Sequence, residues 1–190
     1  MKPQIIEMRV VHKRWTTLGV ATIRTASGAI IDREIEDHGR AVAVLPYDRM
    51  RRTAMLVRQL RAPMLKAADL PQSLEAPAGI LDEIDPADCA RREALEECGL
   101  RLRNLEFLAD LWPMPGLSTE RIALYLAPYG EQDRIAVGGG LEHEQEEIEV
   151  VEMSLPELGA MCDDGRLIDM KTYLLLQALR LRQPGLFAAR

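Results

Sequence analysis

One segment of the chain carries clear signals for both ends of a helix, and it constrains the fold more than any other. Asp85 is a good N-cap residue, Pro86 suits the first helical position, and Gly99 is a typical residue just after a helix. Asp88 places an acid in the first turn, where the helix dipole favours one. The sequence therefore predicts a helix over residues 87–98.

Short apolar runs on both sides of this helix predict strands, some of them buried on both faces. The predicted strands cover residues 8–15, 18–24, 29–36, 41–46, 53–58, 105–111, 122–127 and 148–153. Two further helices are predicted over residues 155–163 and 170–182, whereas the proline-containing stretch 62–78 is expected to be mostly loop. This order of elements favours an α/β sandwich with helices on both faces of a mixed sheet.

The composition fits one compact domain, or one domain with a small appendage. The chain has 190 residues, of which 47% are hydrophobic, enough to bury a core. Its formal net charge of -6 argues against binding to nucleic acid or to an anionic membrane, since both interactions use basic patches. The apolar runs fall short of the ~18–20 residues of a membrane span, and the three cysteines are widely spaced. We therefore expect a cytoplasmic protein without disulfides.

Three acids share one face of the predicted helix. Glu93 and Glu97 are four residues apart and Glu96 is three residues after Glu93, so their carboxylates lie close together. Arg92 is four residues before Glu96 and can offset part of their repulsion. Such a cluster suits a hard cation that prefers oxygen ligands, and Mg²⁺ is the usual one where phosphates are bound. A solvated acidic face is the alternative interpretation for these residues alone.

The neighbouring residues decide between these interpretations, because the segment resembles the signature of the Nudix hydrolase superfamily. Residues 92–100, R-E-A-L-E-E-C-G-L, match the second half of the pattern G-x5-E-x7-R-E-U-x-E-E-x-G-U, in which U is aliphatic. The first half departs from the pattern: Asp85 takes the place of its first glutamate, and the interval from Gly79 to Arg92 is one residue short. The departure puts in doubt a role for that first acid and leaves the helix face intact.

The resemblance runs from about residue 40 to 180 and is similar in detail to the ADP-ribose and nucleoside-diphosphate-sugar pyrophosphatases. The segments that carry it are V-R-Q-L-R at 57–61, E-A-P-A-G at 75–79, M-P-G-L-S-T-E at 114–120 and E-Q-E-E-I-E-V at 144–150. Pro115 lies 16 residues after Gly99, a spacing associated with ADP-ribose-type substrates. The three glycines at 138–140 and the residues D-M-K-T at 169–172 resemble the branch that cleaves GDP-mannose.

The resemblance implies a fold and a domain arrangement. The expected fold is a Nudix-type α/β/α sandwich with a mixed central sheet, preceded by a small antiparallel β-sheet. Residues 1–40 would form this extension and serve in dimerisation, and residues 41–190 would form the hydrolase domain. A homodimer is therefore expected, in which Trp15 and Arg40 could approach the nucleotide site of the partner chain.

The resemblance also implies a reaction and its metal ligands. The expected activity is Mg²⁺-dependent hydrolysis, with Mn²⁺ as an alternative, of the pyrophosphate bond of a nucleoside diphosphate sugar. ADP-ribose is the first expected substrate and GDP-mannose the second. The metal ligands implied are the backbone carbonyl of Ala78 and the side chains of Glu93, Glu96, Glu97 and Glu146, with Glu97 also catalytic.

The remaining site residues follow from the same resemblance. Glu144 is expected to be the general base, with Glu146 and Glu147 as alternatives. Arg58, Arg61 and Glu120 are expected to bind the substrate, because an arginine can grip a phosphate through two hydrogen bonds. Two other functions stay open: hydrolysis of a dinucleotide polyphosphate, and a non-catalytic ligand sensor on the same fold.

Overall fold

A computed structural model of the chain describes residues 1–82, 85–141 and 147–188. The chain divides into two compact units, of which the first contains Met1–Arg40 and Trp112–Ile122, and the second contains Ala41–Leu111 and Ala123–Arg190. Within the described ranges, every helix is too short or too polar to cross a lipid bilayer.

The first unit is built on a three-stranded antiparallel sheet. Its strands follow the chain order and are β1 (Gln4–Lys13), β2 (Thr17–Arg24) and β3 (Ile30–Asp37). The central strand β2 contributes the buried Ala21, whereas β1 is exposed along its whole length. The small antiparallel sheet predicted at the N-terminus is thus confirmed. Its role in dimerisation, and the assignment of residues 1–40 as a separate domain, stay predictions.

The second unit contains the larger sheet and the helices. The seven strands run in the order β10-β5-β4-β9-β8, with β6 paired to β5 and β7 paired to β4. They are β4 (Arg40–Asp48), β5 (Thr53–Leu60), β6 (Gln72–Glu75), β7 (Ala78–Leu81), β8 (Glu106–Leu111), β9 (Ile122–Pro128) and β10 (Glu149–Ser154). The helices are α1 (Ala62–Ala68), α2 (Pro86–Cys98), α3 (Leu155–Asp163) and α4 (Met170–Arg182), and short 3₁₀ turns occupy Glu131–Asp133 and Pro184–Phe187.

The core lies on both faces of this sheet. Val42 and Val44 of β4 pack in one apolar cluster with residues of α2 and β9. Their neighbours Ala43 and Leu45 point to the opposite face, because side chains alternate along a strand, and they are fully buried as well. A strand buried on both faces needs a covering layer on each. The predicted α/β sandwich with a mixed sheet is therefore confirmed.

The expectation that residues 62–78 are mostly loop was wrong. They form α1, β6 and the first residue of β7. Pro63 lies in the first turn of α1, where a proline's missing N–H costs no intrahelical hydrogen bond, so proline does not exclude a helix there. Strand β6 exists through its antiparallel pairing with β5, which a local sequence pattern does not contain.

Candidate active site

Helix α2 is fixed at both ends as its sequence predicts. The Asp85 carboxylate accepts a hydrogen bond from the Ala87 N–H at 2.8 Å, and Pro86 occupies the first position. At the other end, Gly99 has a left-handed backbone with φ of 69°, and its N–H donates to the Leu95 carbonyl at 2.9 Å. These caps fix where the helix begins and ends.

Two of the predicted metal ligands, Glu93 and Glu97, are buried on α2 with relative exposures of 8% and 2%. Burying a carboxylate is costly unless it is hydrogen-bonded or paired with a cation. The Ala78 N–H donates to Glu97 Oε2 at 3.1 Å, so the start of β7 contacts this carboxylate directly. The structure thus brings together Ala78, Glu93 and Glu97, and their role as metal ligands stays a prediction.

Gly79 explains how the backbone of β7 can come this close to α2. A Cβ atom at this position would lie 2.1 Å from Glu93 Oε1, which is far inside the van der Waals distance. A side chain at residue 79 would therefore displace the Glu93 carboxylate. The glycine of the E-A-P-A-G segment is needed for this close approach rather than for an unusual backbone angle.

Arg92 partly neutralises the acidic face. Its guanidinium lies 2.8 Å from Glu93 Oε1, 2.9 Å from Glu96 Oε2 and 4.0 Å from Asp82 Oδ2. The predicted contact between Arg92 and Glu96 is thus confirmed. Burial lowers the pKa of Arg92, but the charges of Glu93 and Glu96 outweigh it and the pKa is raised. One guanidinium serves three carboxylates, so the face keeps an excess of negative charge.

The glycine run at 138–140 is docked on the C-terminal end of α2. The Gly139 N–H donates to the Glu97 carbonyl at 2.9 Å, and the Gly140 N–H donates to the Glu96 carbonyl at 3.1 Å. Gly138 has φ of 78°, and a Cβ there would lie 2.5 Å from the Glu97 carbonyl oxygen. The chain therefore leads from the last turn of α2 toward the acidic segment.

Two predicted site residues of that segment, Glu144 and Glu146, lie outside the described residues. The segment leads into β10, where Glu149 pairs with Arg58 at 2.6 Å. The side chains of Arg58 and Glu149 are 36% and 58% exposed, so this is a surface ion pair. Gln59, the next residue of β5, is buried.

Arg61 is held by a partner that the sequence analysis did not assign. Its Nε and Nη2 atoms each donate to a carboxylate oxygen of Glu75, both at 2.7 Å. Lys171 of α4 contacts the same carboxylate, and also Asp169 Oδ1 at 2.9 Å. Burial raises the pKa of Glu75, but the Arg61 hydrogen bond and the positive charges of Lys171 and Arg61 outweigh it and lower the pKa to about 2.

The two groups of charged residues are electrostatically connected. The pKa of Arg61 is raised, first by its hydrogen bonds to Glu75 and then also by the charges of Glu97 and Asp169. Arg61 is therefore close enough to α2 for Glu97 to influence it. That Arg61 and the acidic face serve one site stays a prediction.

Glu120 lies in the first compact unit, on the segment that follows Trp112. Its Oε1 is 3.3 Å from Nε2 of His38, whose Nδ1 is 2.5 Å from Glu36. The ring of Trp15 stacks on the imidazole with centroids 5.0 Å apart. Burial lowers the pKa of His38, but its hydrogen bonds to Glu36 and Glu120 outweigh it and raise the pKa. Contact of Glu120 with a substrate stays a prediction.

The donors on α2 fit a hard divalent cation. Within residues 1–82, 85–141 and 147–188, no group of three or more His, Cys, Asp and Glu side chains is arranged to hold a metal ion. Glu93 and Glu97 nevertheless supply carboxylate oxygens on one helix face, and Gly79 allows the β7 backbone to lie against the Glu93 carboxylate. Mg²⁺ commonly takes one or two carboxylates and completes its shell with water and phosphate oxygens, so a partial protein ligand set is what it requires.

Comparison with known proteins gives consistent results. The NUDIX domain family model matches residues 37–174. The chain is 38% identical over 189 residues to a GDP-mannose pyrophosphatase of Pectobacterium atrosepticum, covering 97% of this chain and 96% of that protein. It is 42% identical over 151 residues to a GDP-mannose pyrophosphatase of Cronobacter sakazakii, covering 79% and 78%. A crystal structure of an ADP compounds hydrolase has the same fold, with a TM-score of 0.77 at 19% identity, covering 97% and 96% of the chains.

Proposed function

The chain belongs to the Nudix family, and from that premise we propose that it hydrolyses the pyrophosphate bond of a nucleoside diphosphate sugar. Water attacks one phosphorus atom, the P–O–P bridge breaks, and the products are a nucleoside monophosphate and a sugar phosphate. The observation that carries the proposal is the acidic face of α2, where the buried Glu93 and Glu97 lie against the E-A-P-A-G segment. The relatives named GDP-mannose pyrophosphatase make GDP-mannose the first substrate to test, with ADP-ribose beside it.

Nudix pyrophosphatases generally use divalent metal ions, and we propose Mg²⁺ here, with Mn²⁺ as the alternative. Glu93 and Glu97 would hold the ion, with Glu96, Glu146 and the Ala78 carbonyl as further ligands. When bound, the ion supplies Lewis-acid chemistry: it neutralises phosphate charge and makes an attacking water more acidic. The fit rests on the donor chemistry of α2, since carboxylate oxygens are what these ions prefer.

The protein's own residues carry the remaining steps. Glu144 is proposed to take the proton of the attacking water, with Glu146 and Glu147 as alternatives, because the Gly139 and Gly140 hydrogen bonds start this segment at the end of α2. Single Glu→Gln substitutions at 144, 146 and 147 test this assignment. The base is the residue whose substitution lowers turnover most and removes the acidic limb of the pH–rate profile.

Arg61 is proposed to bind a phosphate of the substrate. Its guanidinium is anchored to a buried carboxylate while its side chain remains 39% exposed, so it can meet a ligand without losing its orientation. Arg58, three residues earlier on β5, is paired with Glu149, whose side chain is 58% exposed, and is proposed for a weaker contact. Both cations would offset the negative charge that phosphates bring to an acidic site.

The test is a panel of nucleoside diphosphate sugars with Mg²⁺, including GDP-mannose and ADP-ribose, with phosphatase-coupled detection of the products. We expect turnover of at least one of these two, lost on adding EDTA and restored by excess Mg²⁺. Turnover of dinucleotide polyphosphates alone would favour the rival hydrolase. The absence of turnover on every member with Mg²⁺ or Mn²⁺ would favour a non-catalytic sensor.

We also propose that the protein is a cytoplasmic homodimer without a nucleic-acid or membrane partner. The basis is the exposed strand β1 of the N-terminal sheet, the net charge of -6, and three cysteines that are buried as free thiols. Sedimentation at micromolar concentration tests the dimer, and a monomer would contradict it. If Trp15 of one chain contributes to the nucleotide site of its partner, Trp15→Ala and Glu97→Gln should each lower activity. Mixing the two variants should then restore part of it, because a mixed dimer contains one intact site.

A further inference from the structure

We propose that Glu75 is a positioning residue that orients the Arg61 guanidinium for binding a substrate phosphate. This inference rests on the proposed function, in which Arg61 meets a phosphate. Glu75 itself is 3% exposed at its side chain and is shielded from a ligand by the two cations that contact it. Of its two cationic partners, Arg61 is the more exposed, at 39% against 13% for Lys171, so we expect Glu75 to act on the reaction through Arg61.

The contact between Glu75 and Arg61 fixes the direction in which the guanidinium points. Glu75 accepts from Nε and Nη2 of Arg61, each at 2.7 Å, so it engages the side edge of the planar guanidinium. A fork of two parallel hydrogen bonds restricts rotation far more than one bond does. The end edge of the guanidinium, which includes Nη1, then points away from the Glu75 oxygens. An arginine presented in this way keeps donors for a second anion, because it has five N–H groups in a fixed plane.

Glu75 is in turn held by the start of α4. Lys171 contacts the Glu75 carboxylate and Asp169, and Asp169 caps the helix by accepting the Thr172 N–H at 2.9 Å. The Thr172 hydroxyl accepts a hydrogen bond from the Ala76 N–H at 2.6 Å, beside Glu75 in the chain. These bonds connect the end of β6 to α4 on both sides of the carboxylate. The base of the fork is therefore rigid, while the arginine at its end is half-exposed.

The anchor of this fork is connected to the proposed metal face, because Ala78, three residues after Glu75, donates its N–H to Glu97 Oε2 at 3.1 Å. The charge of Glu97 contributes to the raised pKa of Arg61, so the guanidinium lies within the field of the proposed metal face. A phosphate chain that is bound to a cation at Glu93 and Glu97 brings its own negative oxygens to that neighbourhood. A fixed cation beside the metal face is then useful only if its direction is set before the ligand arrives.

A double-mutant cycle tests the proposal. The four proteins are the wild type, Glu75→Gln, Arg61→Ala and the double variant, and kcat and KM are measured with GDP-mannose or ADP-ribose and Mg²⁺. We expect Glu75→Gln to lower kcat/KM roughly tenfold, mainly through KM, as is typical when the partner that orients a directly acting group is removed. In the Arg61→Ala background the same change should lower kcat/KM by less than about twofold.

A matched control and a conservative variant separate positioning from folding. Asp163 and Arg180 form another arginine fork in the same unit, at 2.7 and 3.1 Å, on the solvent-exposed sides of α3 and α4. Asp163→Asn should leave kcat/KM within about twofold of the wild type, because the effect of an exposed ion pair is small and local. If Glu75→Gln fails to fold, Glu75→Asp takes its place in the same double-mutant cycle. Aspartate keeps the negative charge, but its shorter side chain withdraws the carboxylate from the Arg61 guanidinium.

Two results would overturn the proposal: an unchanged kcat/KM in Glu75→Gln, or equal losses from this substitution with and without Arg61. Equal losses would mean that Glu75 acts on the fold and not through the arginine. A wild type that hydrolyses no nucleotide sugar would instead refute the proposed function. In that case the dissociation constant for inorganic pyrophosphate with Mg²⁺ is measured for the same four proteins. Additive effects of the Glu75 and Arg61 substitutions on this constant would still overturn the role of Glu75.

Discussion

The two charged groups of the second unit use similar side chains in opposite proportions. On the α2 face, one guanidinium, Arg92, contacts the carboxylates of Asp82, Glu93 and Glu96. At the end of β6, one carboxylate, Glu75, contacts two cations, Arg61 and Lys171. Both groups include a buried glutamate and both are fixed by backbone hydrogen bonds.

The difference in charge balance indicates a difference in role. With Asp169 included, the Glu75 group has equal numbers of acids and cations, so it is complete without a ligand. Among the described residues, the α2 face has more acids than cations, and a further positive charge would relieve the repulsion among its carboxylates. We infer that the first group is built to hold an arginine in place, and the second to bind a metal ion.

Glu97→Gln should have the largest effect, since it removes one charge from the group that has acids in excess. We expect kcat to fall by at least about 10³-fold, corresponding to several kcal/mol of lost metal assistance. The fold should persist without metal, because a glutamine oxygen can still accept from the Ala78 N–H. The measurements are turnover with Mg²⁺ and the melting temperature with and without the ion, which should raise it only in the wild type.

The control for this experiment is Glu106→Gln, which also removes one carboxylate. Glu106 pairs with Arg182 at 2.9 Å on the surface, and both side chains are nearly half exposed. Turnover and its Mg²⁺ dependence should be unchanged in this variant. Normal turnover of Glu97→Gln would contradict the metal role proposed for α2. The α2 face and the Glu75 group would then not differ in the way inferred from their charges.

The dependence of the unfolding free energy on acid pH should distinguish the Glu75 group from the α2 face. The pKa of Glu75 is lowered to about 2 in the folded protein, from an ordinary value of 4.5. A carboxylate with a lowered pKa stabilises the fold fully above its unfolded pKa and loses that contribution as the pH falls through its folded pKa. The contribution of Glu75 should therefore be present above about pH 4.5 and disappear toward pH 2, with a size of up to about 3 kcal/mol.

Denaturation by urea at several pH values between 5 and 2.5 measures this contribution. Other carboxylates also titrate in this range, so the informative quantity is the difference in unfolding free energy between the wild type and Glu75→Gln. That difference should shrink as the pH falls. A difference that stays constant across the range would mean that Glu75 is not held ionised by Arg61 and Lys171.

Gly79→Ala should have the next largest effect, because it disturbs the α2 face without changing any charge. The added Cβ would lie 2.1 Å from Glu93 Oε1, so the carboxylate must move. We expect kcat/KM at limiting Mg²⁺ to fall by about 10–100-fold, the range found when the support of a metal ligand is lost. Excess Mg²⁺ should restore part of the activity.

The matched control is Gly185→Ala, where an added Cβ meets nothing within 4 Å. This variant should keep its activity and its Mg²⁺ dependence. If Gly79→Ala behaved in the same way, the close approach of β7 to Glu93 would not matter for metal binding.

The parts of this molecule that could be predicted from the sequence are those set by local signals. The caps Asp85 and Gly99 predicted α2, and the predicted bounds of the last two helices agree with α3 and α4. Arg92 and Glu96 are one helical turn apart, so their contact follows from spacing alone. The glutamates of the α2 face were identified from the same periodicity together with the family resemblance.

The parts that could not be predicted depend on contacts between distant residues. Glu75 is 14 residues from Arg61 and 96 residues from Lys171, and no periodicity relates them. The sequence showed Glu75 only as the first residue of E-A-P-A-G, so the partner of Arg61 was missed. In the same way, Gly138 is required by its contact with the Glu97 carbonyl, 41 residues earlier in the chain, which only the tertiary structure reveals.

Arg58→Ala should have the smallest effect, and it tests whether burial of the carboxylate partner is what distinguishes Arg61 from Arg58. Arg58 contacts Glu149 through one hydrogen bond at 2.6 Å, and both side chains are substantially exposed. Exposed ion pairs of this kind contribute about 0–1 kcal/mol, so the unfolding free energy should change by less than that. We expect kcat/KM to fall less than about fivefold, and the loss to diminish further as salt screens the guanidinium. Steady-state kinetics at low and high ionic strength, with Glu149→Gln as the control for the ion pair itself, measure both effects. A loss as large as that of Arg61→Ala would show that a cation at this site needs no buried anchor, and the distinction drawn between the two arginines would fail.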